Sequence, residues 1–162
     1  MGCTMASRTL VAFYTKGGAT ETYAKVIVET LAKNGIQADL VNLREKIPDV
    51  AAYDNIIVGT GIRMSMVYRR WRKVLKQKPL KDRRLFMFLS SGTAIKDPHK
   101  AVDQYLKPII DKFDLKPLSL GSFPGMTPEK WAKTEAEKNT VRPETASAWA
   151  QEIADRLKNG PA

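Results

Sequence analysis

The chain has 162 residues, with 27 Lys and Arg against 17 Asp and Glu and a formal net charge of +10. That length fits one domain, since domains hold about 100–200 residues, and the charge favours acidic partners, leaving nucleic acid, an anionic membrane and a phosphorylated or carboxylated ligand all open. Cys3 is the only cysteine, which excludes an internal disulfide, a Cys-built zinc site and an iron–sulfur cluster, and predicts a reducing, cytoplasmic compartment.

Taken in chain order, residues 1–7 read as a solvated leader without the basic-then-apolar start of a signal peptide, and residues 8–159 as a single domain. Arg8–Tyr14 (RTLVAFY), Ile36–Leu43, Asn55–Thr60, Arg84–Ser90 and Leu115–Phe123 are short apolar runs ending near Gly, Ser or Thr, and they read as five strands. Between them, apolar residues recur at helical spacing: Ala24, Ile27, Val28 and Leu31, then Val67, Trp71, Val74 and Leu75, then Ala101 to Phe113. Pro108 predicts a kink or split in the third of these helices. A last helix is expected from Pro143, burying Ala146, Trp149, Ala150, Ile153 and Leu157 and stopping at Gly160. Strands alternating with helices predict an α/β fold, a five-stranded parallel sheet covered on both faces. None of the apolar runs reaches the roughly 18–20 residues of a membrane span.

The chemistry is expected where strands end. Thr15-Lys16-Gly17-Gly18-Ala19-Thr20 follows the first strand and opens a helix, so free backbone N–H groups and the positive end of the helix dipole converge there. Gly17 and Gly18 allow close approach of an anion or a positive φ, Thr15 and Thr20 add hydroxyls, Thr20 is a candidate cap, and Lys16 adds charge. A simple tight turn is the competing reading. Neither Gly-Lys-Ser/Thr nor Gly-x-Gly-x-x-Gly spacing is present, which favours a single monophosphate over a longer phosphate chain. The third strand runs out through Gly59-Thr60-Gly61-Ile62-Arg63-Met64 and the fourth through Ser90-Ser91-Gly92-Thr93-Ala94. Three loops at one sheet edge can hold a phosphate in the first and a flat ring between the other two.

Here the sequence resembles the flavodoxin-like family, whose first loop, roughly Thr/Ser-x-Thr-Gly-x-Thr-Glu, binds the phosphate of FMN. Thr15 to Glu21 matches it except at Gly17, where the family places a Thr, so one hydroxyl is lost. The resemblance implies strand order 2-1-3-4-5. Within the family the chain is similar to the menaquinone-dependent protoporphyrinogen oxidase group, through Tyr53 to Gln77 (YDNIIVGTGIRMSMVYRRWRKVLKQ), above all Gly59 to Arg63, and through Trp149 to Leu157 (WAQEIADRL). Met126–Arg142 is shorter and more polar than the loop that this group carries after its fifth strand, and Ile62, Arg63 and Met64 stand where electron-carrying flavodoxins place a stacking aromatic.

The resemblance implies noncovalent FMN and an oxidoreductase acting on a quinone or porphyrinogen. The alternatives are an electron carrier, or a non-redox interaction protein that has lost flavin. Thr15, Lys16, Gly17, Gly18, Ala19 and Thr20 are the expected phosphate contacts; Thr60, Gly61, Ile62, Arg63, Ser90, Ser91, Gly92 and Thr93 are expected to border the ring. Arg63 is the candidate for tuning the flavin, or else a surface arginine paired with a carboxylate. Arg69–Arg84 carries nine Lys and Arg; it reads as the wet side of a helix and its following loop, or as a docking surface for an acidic redox partner or a peripheral anionic membrane. Nucleic acid is not expected, because no recognised nucleic-acid module accompanies the charge. Trp131 reads as packed on the domain or as a lid; Trp71 and Trp149 read as core, and His99 as a surface residue. No metal site is expected.

Overall fold

Both faces of the central strands are apolar, so the strands must be covered twice, and the two coverings use different side chains. A computed structural model describes residues 8–15, 19–63, 66–67, 69–91, 94, 97–125 and 141–158. Strands β1 (Thr9–Tyr14), β2 (Ala38–Asn42), β3 (Asn55–Arg63), β5 (Arg84–Ser91) and β6 (Ser119–Pro124) form a parallel sheet in the order β2-β1-β3-β5-β6. The two-residue β4 (Met66–Val67) pairs antiparallel with the end of β3. Counting the parallel strands alone, this is the 2-1-3-4-5 order that the family resemblance implies.

Helices α1 (Ala19–Lys33) and α5 (Pro143–Lys158) pack on one face. Beneath them lie Val11, Phe13, Ile57, Phe86 and Phe88, meeting Tyr23, Ile27, Leu31, Trp149 and Ile153. The other face buries Leu10, Ile56, Val58, Leu85, Met87 and Leu89 against α2 (Arg69–Leu75) and against α3 (Pro98–Ala101) with α4 (Lys107–Phe113). Trp71 is fully buried there, and Trp149 is 7% exposed on the opposite face, so both are core residues as expected. Each large aliphatic or aromatic side chain so buried contributes about 1.5–3 kcal/mol.

Three sequence expectations need correction. Strand β3 does not stop at Thr60 but continues through Arg63, because Ile62 and Arg63 find partners in β4: Ile62 opposite Val67 and Arg63 opposite Met66. Val67 therefore belongs to a strand and not to the face of α2. The last strand begins at Ser119, not Leu115, since Asp114 leaves α4 in the left-handed region at φ 52 and the chain needs Leu115 to Leu118 to return to the sheet. At Pro108 the expected disturbance is present: the run from Pro98 to Phe113 is divided into α3, a π segment and α4. The π segment, Val102–Leu106, precedes the proline, with the Lys107 N–H bonded to the Val102 carbonyl; this wider step absorbs the N–H that proline lacks and the clash its ring would make four residues back. The leader and Gly160 lie outside the described residues.

Candidate functional site

Alternation along the strands places one row of side chains directly beyond the aromatic face of the core. Phe13, Gly59 and Phe88 are in register across β1, β3 and β5. One step further along the same face come Thr15, Gly61 and Ser90, with Gly61 opposite Ser90. The row changes from apolar to hydroxyl at the carboxyl ends of the strands. Thr15, Thr20 and Ser90 are buried, at 8%, 0% and 4% exposure.

Gly61 is the centre of this cluster. A Cβ there would lie 3.0 Å from Thr20 Oγ1, which it would crowd, and in ordinary contact at 3.8 Å with both Ser90 Oγ and Thr15 Oγ1, so three hydroxyls surround a bare backbone. Thr20 and Ser90 share a hydrogen bond of 2.7 Å between their hydroxyls. Thr20 is the second residue of α1, not its cap, and its hydroxyl crosses to β5 instead of turning back on the helix. On the other face of β5, Ser91 accepts the N–H of Ala94 at 3.1 Å, which ties the start of the following turn to the sheet. The Thr60 hydroxyl donates to the Gly61 carbonyl at 3.0 Å.

The aromatic side of the site is fixed by Tyr23, which the sequence reading did not single out. Its hydroxyl donates to the Pro124 carbonyl at the end of β6 and accepts the Arg142 N–H at 3.0 Å just before α5. Its ring packs 4.9 Å from that of Phe123, which meets Trp149 edge-on at 5.8 Å. Burial pushes the Tyr23 phenol above its ordinary range, and the Arg142 N–H, which favours the phenolate, only partly opposes this. The signal was present in the sequence as a tyrosine on an apolar helical face, but nothing there identified partners 101 and 119 residues away.

The structure thus brings Ala19, Thr15, Thr20, Thr60, Gly61, Ser90 and Ser91 to one edge of the sheet. Lys16, Gly17, Gly18, Gly92, Thr93, Met64 and Trp131 lie outside the described residues, as do the side chains of Ile62 and Arg63. The buried polar side chains among the described residues are Thr, Ser and Asn. No carboxylate is buried among them to repel an anion. Among the described residues there is also no cluster of His, Cys, Asp and Glu able to hold a metal ion, and no helix long and apolar enough to cross a membrane. His99 is exposed at the start of α3, where the Asp97 carboxylate caps the helix by accepting the Lys100 N–H at 3.0 Å.

Three buried hydroxyls around a glycine, beside the first turn of a 15-residue helix, suit a phosphate monoester. Each hydroxyl can rotate to donate, and the missing Cβ leaves room for an oxygen to approach the backbone.

Residues 10–135 match the family model described as flavodoxin domain. A stretch of 71 residues is 31% identical to protoporphyrinogen IX dehydrogenase [quinone] of Escherichia coli strain K12, and covers 43% of this chain but only 39% of that relative. Among solved structures, a flavodoxin of Streptococcus pneumonia TIGR4 superposes with a TM-score of 0.64 at 16% identity, covering 92% of this chain and 99% of that one. The rubredoxin oxygen:oxidoreductase of Desulfovibrio gigas gives 0.61 at 16% identity, with 94% of this chain matching 36% of the larger protein. At these identities the structural likeness concerns the fold.

Proposed function

Because the chain belongs to the flavodoxin-domain family, we propose that it is an FMN-dependent oxidoreductase whose phosphate site is the hydroxyl row Thr15, Thr20 and Ser90 around Gly61. Family membership indicates FMN as the cofactor, and the observation that carries the site is the buried hydroxyl cluster, with no buried carboxylate among the described residues. When bound, FMN supplies electron and hydride transfer. The protein's own residues bind, orient and shield. Thr15, Thr20 and the α1 amides would hold the phosphate, with the Thr20 and Ser90 hydroxyls, now bonded to each other at 2.7 Å, as donors available to it. Thr60, Gly61 and Ser91 form the sheet edge that would border the ring. Tyr23 keeps the end of β6 and the approach to α5 in place.

The test is calorimetric titration with FMN and, in parallel, with riboflavin, which has the same ring and no phosphate. FMN should bind and riboflavin should bind far more weakly. Thr20→Val should narrow that gap about tenfold, the effect of losing one hydrogen bond to a charged group. Equal affinity for the two flavins would remove the phosphate site, and no heat with either would remove the cofactor.

For the reaction, a quinone-linked oxidation of a porphyrinogen is supported by the partial match to the Escherichia coli dehydrogenase. The net charge of +10 points the same way, because a positive field favours the more negatively charged reduced flavin. The midpoint potential of bound FMN should therefore be less negative than that of an acidic flavodoxin. Turnover of protoporphyrinogen with a quinone acceptor supports the enzyme. Reduction and reoxidation by protein partners without that turnover makes it an electron carrier.

A further inference from the structure

The two helical faces of the sheet carry charge very differently. On the α1/α5 face acids and bases alternate and pair: Lys25 lies 3.5 Å from Glu21, and Arg156 lies 3.6 Å from Glu152. On the other face, Arg69–Arg84 has nine Lys and Arg and one carboxylate, Asp82, so it holds most of the chain's net charge of +10. From Arg72 to Arg84, among the described residues, only Lys81 has a carboxylate within ion-pair distance: Asp114, at 3.9 Å and largely exposed.

The apolar residues of this segment are already used by the core. Trp71 and Val74 are fully buried, Leu75 is 3% exposed and Leu80 is 1% exposed. The two exposed large apolar residues among those described, Leu40 and Leu118, lie on β2 and just before β6, away from α2. Nothing on the described part of this surface can insert into an apolar partner. The segment is also pinned: the Gln77 side chain accepts the Val50 N–H at 3.0 Å and donates to the Pro48 carbonyl at 2.8 Å. Arg72, Arg83 and Arg84 are half-buried, each with a guanidinium nitrogen shielded from water and without an acceptor. Arg83 is further held through its Nη2, which donates to the Ala51 carbonyl at 3.4 Å. Charges held in fixed positions match carboxylates at fixed spacing on a folded surface better than headgroups that diffuse in a bilayer.

Helix α2 follows β4 at the carboxyl edge of the sheet, the edge that carries the hydroxyl row on its other face, and the basic segment ends at the opposite edge where β5 begins. A partner lying along it therefore reaches the edge where the cofactor would sit. We infer that the α2 flank, from Lys73 to Arg84, is the docking surface for a protein redox partner with an acidic face. The partner's redox role rests on the function proposed above; the docking itself does not require flavin.

The experiment measures association with an acidic iron–sulfur ferredoxin by surface plasmon resonance, for both the FMN-loaded and the flavin-free protein, over a series of salt concentrations. Two charge-reversal triples are compared, each changing the net charge equally: Lys73→Glu, Lys76→Glu and Lys78→Glu on the α2 flank, and Lys25→Glu, Lys33→Glu and Lys158→Glu on the α1/α5 flank. The first triple should weaken binding at least about tenfold and flatten its salt dependence, the second less than about threefold. Circular dichroism checks that both variants are folded. Equal losses from the two triples, or no binding at low salt, overturn the proposal. So does tighter binding to phosphatidylglycerol vesicles than to the ferredoxin, which would make the flank a membrane surface. Binding that survives in flavin-free protein while FMN titration gives no heat retains the docking surface and removes the redox reading alone.

Discussion

The two faces of the sheet are built to different rules. Under α1 and α5 the packing is interlocked and aromatic: Phe88 stands over Gly59, and its ring lies 5.9 Å from that of Phe123 and 5.8 Å from that of Trp149. Under α2, α3 and α4 the contacts are mainly aliphatic, with Leu10, Ile56, Val58, Leu85, Met87 and Leu89 among them. Rings have a few allowed mutual angles, whereas aliphatic chains repack with small rotamer changes. The aromatic face is also the one that continues into the hydroxyl row. Precision is therefore concentrated on the face that positions the site, and the other face is free to carry a charged exterior.

Gly59→Ala should have the largest effect, because a Cβ at that position would overlap the Phe88 ring. A loss of about 3 kcal/mol in urea unfolding is expected from overpacking; a loss below about 1 kcal/mol would mean that the aromatic face repacks as readily as the other. Tyr23→Phe comes next. It deprives the Pro124 carbonyl of its donor and the Arg142 N–H of its acceptor while leaving the ring packing, and should cost about 2 kcal/mol. Thermal melts of this variant will show whether the hydroxyl or only the ring matters.

The same residue gives a pH dependence. The Tyr23 pKa in the folded chain is raised above its ordinary value of 10.0, so the folded state holds the proton more tightly than the unfolded state. Its contribution is fully present below pH 10 and is lost as pH rises through the folded pKa. Unfolding midpoints measured above pH 10 should fall more steeply for the wild type than for Tyr23→Phe; parallel curves would assign the decline to other groups. Met87→Leu, on the aliphatic face, should have the smallest effect, under about 1 kcal/mol, since volume is conserved. A loss equal to that of Gly59→Ala would abolish the contrast between the faces.

Periodicity and strand-end composition made much of this readable in advance. The five parallel strands, their order and the burial of Trp71 and Trp149 follow from local patterns and the family resemblance. The end of β3 did not, because Gly59-Thr60-Gly61 has the composition of a loop. Its glycines serve partners on distant segments: Gly59 makes room for Phe88, and Gly61 leaves space among Thr15, Thr20 and Ser90. A local window sees two helix-breaking residues, not the ring and hydroxyls that require them. The Thr20–Ser90 bond joins residues 70 apart and is invisible for the same reason. At Pro108 the cause was legible and the form was not: the missing N–H predicts a disturbance, and its form is the π segment that separates α3 from α4.

One phenol oxygen is the meeting point of three elements: it belongs to α1, donates to the end of β6 and accepts from the approach to α5. Displacing any one of the three breaks a hydrogen bond to a partner held by another. The Tyr23 hydroxyl therefore makes α1, β6 and α5 respond to a load as one body.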